Sequence, residues 1–249
     1  MLLALVALST QQPDFTWHKT IAAGKTIEIV GVNGSIDASG TSGREVEVTA
    51  VKKGRRSDPE SVQIEVVEFA DGVTICAVYP PGQRNQENEC RPGGKGRMNV
   101  KDNDVNVTWT IKVPQGVRFS GRTVNGQVVA RGLTAETEVR TVNGSITVET
   151  TSWANATTVN GSISARMGRT DWSGEAELST VNGGITVDLP PGASMEVDAS
   201  TVNGSMSTDF PLTIRGKWGP RRMSGTIGQG GRTLSLSTVN GSMALRRAP

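Results

Sequence analysis

The sequence predicts an all-β fold: a parallel, right-handed β-helix, or β-solenoid, with coils of about 16–22 residues and a less regular β-rich N-terminal part. Three observations lead there. Val-Asn-Gly occurs seven times, and six of the copies have a Thr in front. Around each copy apolar and polar residues alternate with a period of two, the pattern of a half-buried strand. One column of charges alternates in sign from unit to unit.

The repeat turns are Asn33-Gly34, Asn125-Gly126, Asn143-Gly144, Asn160-Gly161, Asn182-Gly183, Asn203-Gly204 and Asn240-Gly241. From Asn125 onward the spacings are 18, 17, 22, 21 and 37. The last is about double the others, and Met223-Ser224-Gly225-Thr226-Ile227 reads as a degenerate unit that divides it. Seven successive units then run from about 119 to the C-terminus. Three positions after Asn stand Val128, Ile146, Ile163, Ile185, Met206, Ile227 and Met243; four before it stand Val139, Ala156, Leu178, Ala199 and Leu236. The invariant Gly is expected to supply a left-handed backbone at the turn.

Asn-Gly between alternating strands is also a hairpin signal, so an antiparallel barrel or sandwich competes with the coil. The column six after Asn favours the coil. Its members are Arg131, Glu149, Arg166, Asp188 and Asp209; the first four alternate in sign, and only in stacked coils do they become neighbours. A recurrent Asn suits coils too, since side-chain amides can bond from one to the next. Strict alternation places Thr and Asn inward and the valines between them outward; a bend at Thr would reverse this. If outward, Val124, Val142, Val159, Val181 and Val202 form an exposed apolar stripe, the mark of a partner surface.

Residues 119–249 are the regular part, continuous with a β-rich part at 13–118 that holds the first repeat. In that part 27–38, 45–51, 62–67, 73–78 and 105–113 read as strands. Residues 80–98 form a long loop with three Pro and four Gly, of the length that is usually functional or disordered. Cys76 and Cys90 flank its first half, and a disulfide between them is expected in an exported chain. Residues 1–12 read as a remnant signal peptide: Leu2 to Leu8 are apolar, and Ala7-Leu8-Ser9 puts small residues at a cleavage site. The basic n-region is missing, which leaves a start further upstream or a short strand as alternatives. No other segment is apolar for long enough to span a bilayer.

Composition excludes several kinds of chemistry. Basic and acidic residues number 26 and 24, so no strong field points to nucleic acid. A single histidine, His18, and two cysteines rule out a multi-histidine or four-cysteine metal site. A nucleophilic triad would have to recruit His18. Gly24-Lys25-Thr26 resembles the end of a phosphate-binding loop, but Lys19 stands where its first Gly belongs. Glu138, Asn155, Glu177 and Asp198 share a column, which reads as a solvated face rather than a calcium site. No cofactor and no catalytic residue is expected. Trp153 and Trp172 fall between coils about one period apart, where they either cap the core or form a sugar-stacking platform.

Together, the recurring Thr-Val-Asn-Gly-Ser-Ile core, the lead-in Ile111 to Val117 and the closing Leu234 to Met243 resemble the bacterial putative-adhesin family DUF4097. The resemblance covers most of the chain after about residue 20 and implies an exported, adhesin-like β-helix. It carries over no catalytic residues. The expected function is a non-enzymatic adhesion or scaffold module in the periplasm, at the cell surface or outside the cell, with a cell-surface glycan or protein as partner. A polysaccharide-active, lyase-like enzyme on the same scaffold is the alternative.

Overall fold

A computed structural model describes residues 13–82, 87–172, 176–216 and 220–248, so the expected signal segment 1–12 lies outside the described residues. The alternating pattern folds into two long sheets. The chain opens with β1 (Phe15–Lys19), β2 (Thr26–Val30), β3 (Ile36–Thr41), β4 (Val46–Lys53), β5 (Gln63–Phe69), β6 (Gly72–Val78) and β7 (Asn106–Pro114). Strands then alternate between the two sheets: β8 (Arg118–Arg122) then β9 (Val128–Leu133), β10 (Thr137–Arg140) then β11 (Ile146–Thr150), and β12 (Ala154–Thr157) then β13 (Ile163–Met167). Next come β14 (Ala176–Ser179) then β15 (Ile185–Leu189), and β16 (Met195–Asn203) then β17 (Met206–Thr208). The chain ends with β18 (Thr213–Arg215), β19 (Arg221–Ile227), β20 (Thr233–Asn240) and β21 (Met243–Arg247).

One sheet has the order β1-β4-β7-β3-β9-β11-β13-β15-β21-β17, the other β18-β19-β16-β20-β14-β12-β10-β8-β2-β6-β5. Each Asn-Gly corner carries the chain from the second sheet to the first, and a return loop on the opposite side carries it back. Every such turn of the chain is a rung, and equivalent rungs pair in parallel: Ile146 lies opposite Val128 on one side and Ile163 on the other. This is the coil, not the hairpin meander. The core lies between the sheets, where Ile36, Val128, Ile146, Ile163, Ile185 and Met243 stack as one buried column.

The structure corrects the rung order. Strand β20 pairs in parallel with β14 and β16, and β21 with β15 and β17. The last rung in sequence is therefore inserted between the Asn182 rung and the Asn203 rung. Met223 to Ile227 is not a degenerate coil: it lies in β19, which runs antiparallel to β16, so Ile227 leaves the repeat column. That end of the second sheet is thereby extended, since β18 and β19 cover the edge that β16 would expose.

The N-terminal part belongs to the same two sheets. Strands β6 and β7 form a rung ahead of β2 and β3, pairing with them in parallel. That rung lacks Asn-Gly, and Tyr79 stands in for the corner: its Oη donates to the Val105 carbonyl at 2.8 Å. Burial pushes the Tyr79 phenol pKa up. Antiparallel β4 and β1 extend one sheet beyond it, and β5 extends the other. Cys76 and Cys90 are bridged, so the loop expected at 80–98 is tied at its first half to β6.

Candidate functional site

The repeat turn Thr-Val-Asn-Gly builds one edge of the solenoid, and each of its residues has a separate job. Thr123, Thr141, Thr158, Thr180, Thr238 and Thr201 point inward and are buried. Their hydroxyls donate to the Gly carbonyl of the neighbouring rung, as Thr158 Oγ1 does to Gly144 O at 2.9 Å. The same bond recurs from Thr123 to Gly34, Thr180 to Gly161 and Thr201 to Gly241. A buried or partly buried backbone oxygen is thus satisfied at each corner.

The glycines are needed for a reason other than the expected one. Among the seven corner glycines only Gly34 has positive φ. The constraint is close approach: a Cβ on Gly161 would sit 2.1 Å from Gly144 O, and one on Gly144 2.0 Å from Gly126 O. Stacked corners touch backbone to backbone, which leaves no room for a side chain.

The valines face outward, as strict alternation required. Val124, Val142, Val159, Val181, Val239 and Val202 form a continuous stripe in that spatial order, each between 37% and 44% exposed. Asn does not point inward as the alternation rule expected. The turn begins at Asn, and the six side chains from Asn125 to Asn240 are exposed beside the valines. They form an amide ladder: Asn125 Nδ2 donates to Asn33 Oδ1 at 2.9 Å, Asn143 to Asn125 at 2.8 Å and Asn160 to Asn143 at 2.8 Å. Asn182, Asn240 and Asn203 continue it, each donating to the previous rung at 2.9 Å. Seven rungs at strand spacing make an edge about 29 Å long. Neither column carries a charge, and each of the six donating amides uses only one of its two N–H donors along the ladder. The edge can therefore offer a regular row of apolar contacts beside a row of hydrogen-bonding groups.

The charge column is also realised, with one exception. Arg166 lies opposite Glu149 and Asp188 and reaches each carboxylate at 3.7 Å. Arg246 lies opposite Asp188, so insertion of the last rung extends the alternation. Arg131 drops out because the β9–β11 register shifts there, next to Gly132 with φ 64°.

Trp153 and Trp172 are 9% and 2% exposed, so they are not a sugar platform. They close the core on the return side, and a buried indole face has no room for a ring. His18 pairs with Glu45 at 3.1 Å on an exposed strand. Lys25 binds Asp71 and the Ala70 carbonyl at the turn entering β2.

Sequence reasoning missed an ion network on the outer face of the second sheet. Glu28 is 3% exposed, and its Oε2 accepts from Thr74 Oγ1 and from Gly93 N, each at 2.8 Å. Its Oε1 lies 3.2 Å from Arg122 Nε, an ion pair outside the angular range of a hydrogen bond. Arg122 Nη2 donates to Glu138 Oε1 at 3.0 Å, and Arg140 Nε donates to the same oxygen at 2.9 Å. The Pro92–Gly94 turn of the disulfide-tied loop lies over Glu28. The only sequence signal was a carboxylate between two core residues, Ile27 and Ile29. Glu28 is covered and both acids are matched by arginines, which suits a clamp for the loop rather than a reaction centre.

The model of the Toastrack DUF4097 family matches residues 99–246. A solved putative cell adhesion protein from Clostridium sporogenes ATCC 15579 is similar over 95% of this chain and 100% of its own, at 14% identity and a TM-score of 0.50. A putative adhesin from Bacteroides fragilis NCTC 9343 aligns over 94% of this chain and 96% of its own, at 11% identity and a TM-score of 0.30. No curated protein sequence matches significantly. With its matched segment spanning more than half of the residues, the chain belongs to the Toastrack DUF4097 family.

Proposed function

We propose that this chain is an exported, non-enzymatic binding module whose Val–Asn edge attaches it to a cell-envelope surface, as an adhesin or a scaffold. The observation that carries the reading is the unbroken exposed stripe of six valines flanked by the amide ladder. Scattered surface valines need no explanation, but an aligned row on a rigid solenoid edge marks a contact surface. The similar solved protein named for cell adhesion, and family membership, support the same reading. The one disulfide fits an oxidising compartment.

The test replaces Val142→Glu, Val159→Lys and Val181→Glu together. Alternating signs avoid like charges on adjacent rungs, so the fold should persist. Binding of the purified chain to a bacterial cell-envelope fraction should be lost, with urea unfolding near that of the parent. Undiminished binding by the folded triple variant would remove the edge from the function. Turnover of an acidic polysaccharide by the parent chain would favour the enzymatic alternative.

A further inference from the structure

The inserted rung occupies a slot between two rungs that precede it in the chain. Residues 200–206 and 237–243 both read Ser-Thr-Val-Asn-Gly-Ser-Met. The second copy sits in a slot between the first copy and the Asn182 rung, and both walls are made for it. On one wall Thr180 N donates to Ser237 O, and Asn240 Nδ2 to Asn182 Oδ1, each at 2.9 Å. On the other wall Gly241 N donates to Asn203 O and Asn203 Nδ2 to Asn240 Oδ1, again at 2.9 Å. The segment enters its slot through Gly228-Gln229-Gly230-Gly231, which must cross the end of β16 between antiparallel β19 and parallel β20. All three glycines have positive φ, at 58°, 78° and 136°, so the closed crossing depends on backbone that other residues avoid.

We propose that the C-terminal rung, β20 with β21, exchanges between two copies of this chain, each filling the other's slot through an opened 228–231 hinge. The exchanged pair makes the same wall contacts as the closed chain, so the two forms differ mainly at the hinge and in concentration dependence. The barrier between them is high, because withdrawing the rung breaks two strand pairings in each sheet. Exchange therefore takes place during folding rather than between finished chains. The proposal is independent of what the Val–Asn edge binds, and it joins two such edges in one assembly.

Ser179 and Ser237 lie opposite each other with their hydroxyls 2.9 Å apart, which provides a test in the full chain. Ser179→Cys and Ser237→Cys chains are unfolded together without reductant, keeping Cys76–Cys90 closed. They are then refolded at low and high concentration and oxidised. In closed monomers the two new thiols are on different molecules and cannot meet in register. Exchange yields a dimer linked 179 to 237, mapped by mass spectrometry, that grows with refolding concentration and is absent when separately folded chains are mixed. A 179–237 product no more abundant than the 179–179 collision product overturns the proposal, as does equal yield from prefolded chains. Gly230→Val strains only the closed hinge and should raise the exchanged fraction roughly tenfold at fixed concentration. An unchanged fraction in that variant also overturns it.

Discussion

Replacing Gly161 with Ala tests why the corners carry glycine. The new Cβ would meet Gly144 O at 2.1 Å, Gly144 C at 2.5 Å and Ser145 N at 2.9 Å, all backbone atoms. Carbon and oxygen rest no closer than about 3.3 Å, so the corner must move by roughly 1 Å. That movement loosens Gly161 N to Asn182 O at 3.0 Å, Asn160 Nδ2 to Asn143 Oδ1 at 2.8 Å and Thr158 Oγ1 to Gly144 O at 2.9 Å. At about 1 kcal/mol for each bond, the loss is about 2–4 kcal/mol. Urea unfolding followed by circular dichroism measures it as a fall in midpoint. Gly161→Asn separates the two explanations. Asn tolerates left-handed backbone better than Ala does, but it is larger. Close approach predicts that Gly161→Asn is at least as damaging as Gly161→Ala. A milder effect of Asn would refute the steric argument and restore the left-handed turn.

Thr158→Val keeps shape but leaves the partly buried Gly144 carbonyl without its donor, and should cost about 1 kcal/mol by the same unfolding measurement. A double-mutant cycle between Glu149 and Arg166, both about half exposed, should give a coupling of about 0.2–1 kcal/mol; a value near zero would contradict the stacked register. Opening Cys76–Cys90 by paired Ala substitution should lower stability by about 3 kcal/mol and raise amide exchange at Gly93, whose N–H donates to Glu28. Asp104 is held at about 2, below its ordinary 3.8, mainly by the Ser57 backbone N–H, then by the Arg56 N–H, the Ser57 hydroxyl and the Arg56 charge. A depressed pKa means its contribution is present above pH 4 and is lost as pH falls through 2. Asp104→Asn should therefore flatten the acid limb of the stability profile in that window, and an unchanged limb would contradict the assignment.

The repeat was legible because each column has one environment in every rung. The buried column from Ile36 to Met243 follows from period two, whereas the facing of Thr and Val depended on whether the chain bends at Thr, and alternation misplaced Asn because both Val and Asn are exposed at the corner. Rung order was not legible. Residues 200–206 and 237–243 are identical, so nothing local says which of them lies against Asn182. That choice is made by β19, whose antiparallel pairing occupies the far edge of β16. Arg131 looked like a ladder member because the bulge shows in the sequence only as a three-residue step between the buried Ala130 and Leu133, which follows the column position. The Glu28–Arg122 pair joins positions far apart in sequence on a face that alternation marks as solvent. Its burial comes from a loop whose path depends on the disulfide. Trp153 and Trp172 were placed at the correct corners, but a corner position is compatible with either covering the core or facing solvent.

Cross-linking within one chain tests the stacked, out-of-order solenoid most directly. In the structure Ser237 lies opposite Ser179 on one side and Ser200 on the other. Ser179 and Ser200 are then two rungs apart, about 9.6 Å, beyond the reach of a disulfide. Oxidised monomers of the Ser179→Cys, Ser237→Cys double variant should form an intrachain 179–237 bond in high yield. The Ser179→Cys, Ser200→Cys double variant should keep both new thiols free. A ready 179–200 bond with no 179–237 bond would mean that rungs stack in chain order, and would contradict the fold on which the Val–Asn edge is built.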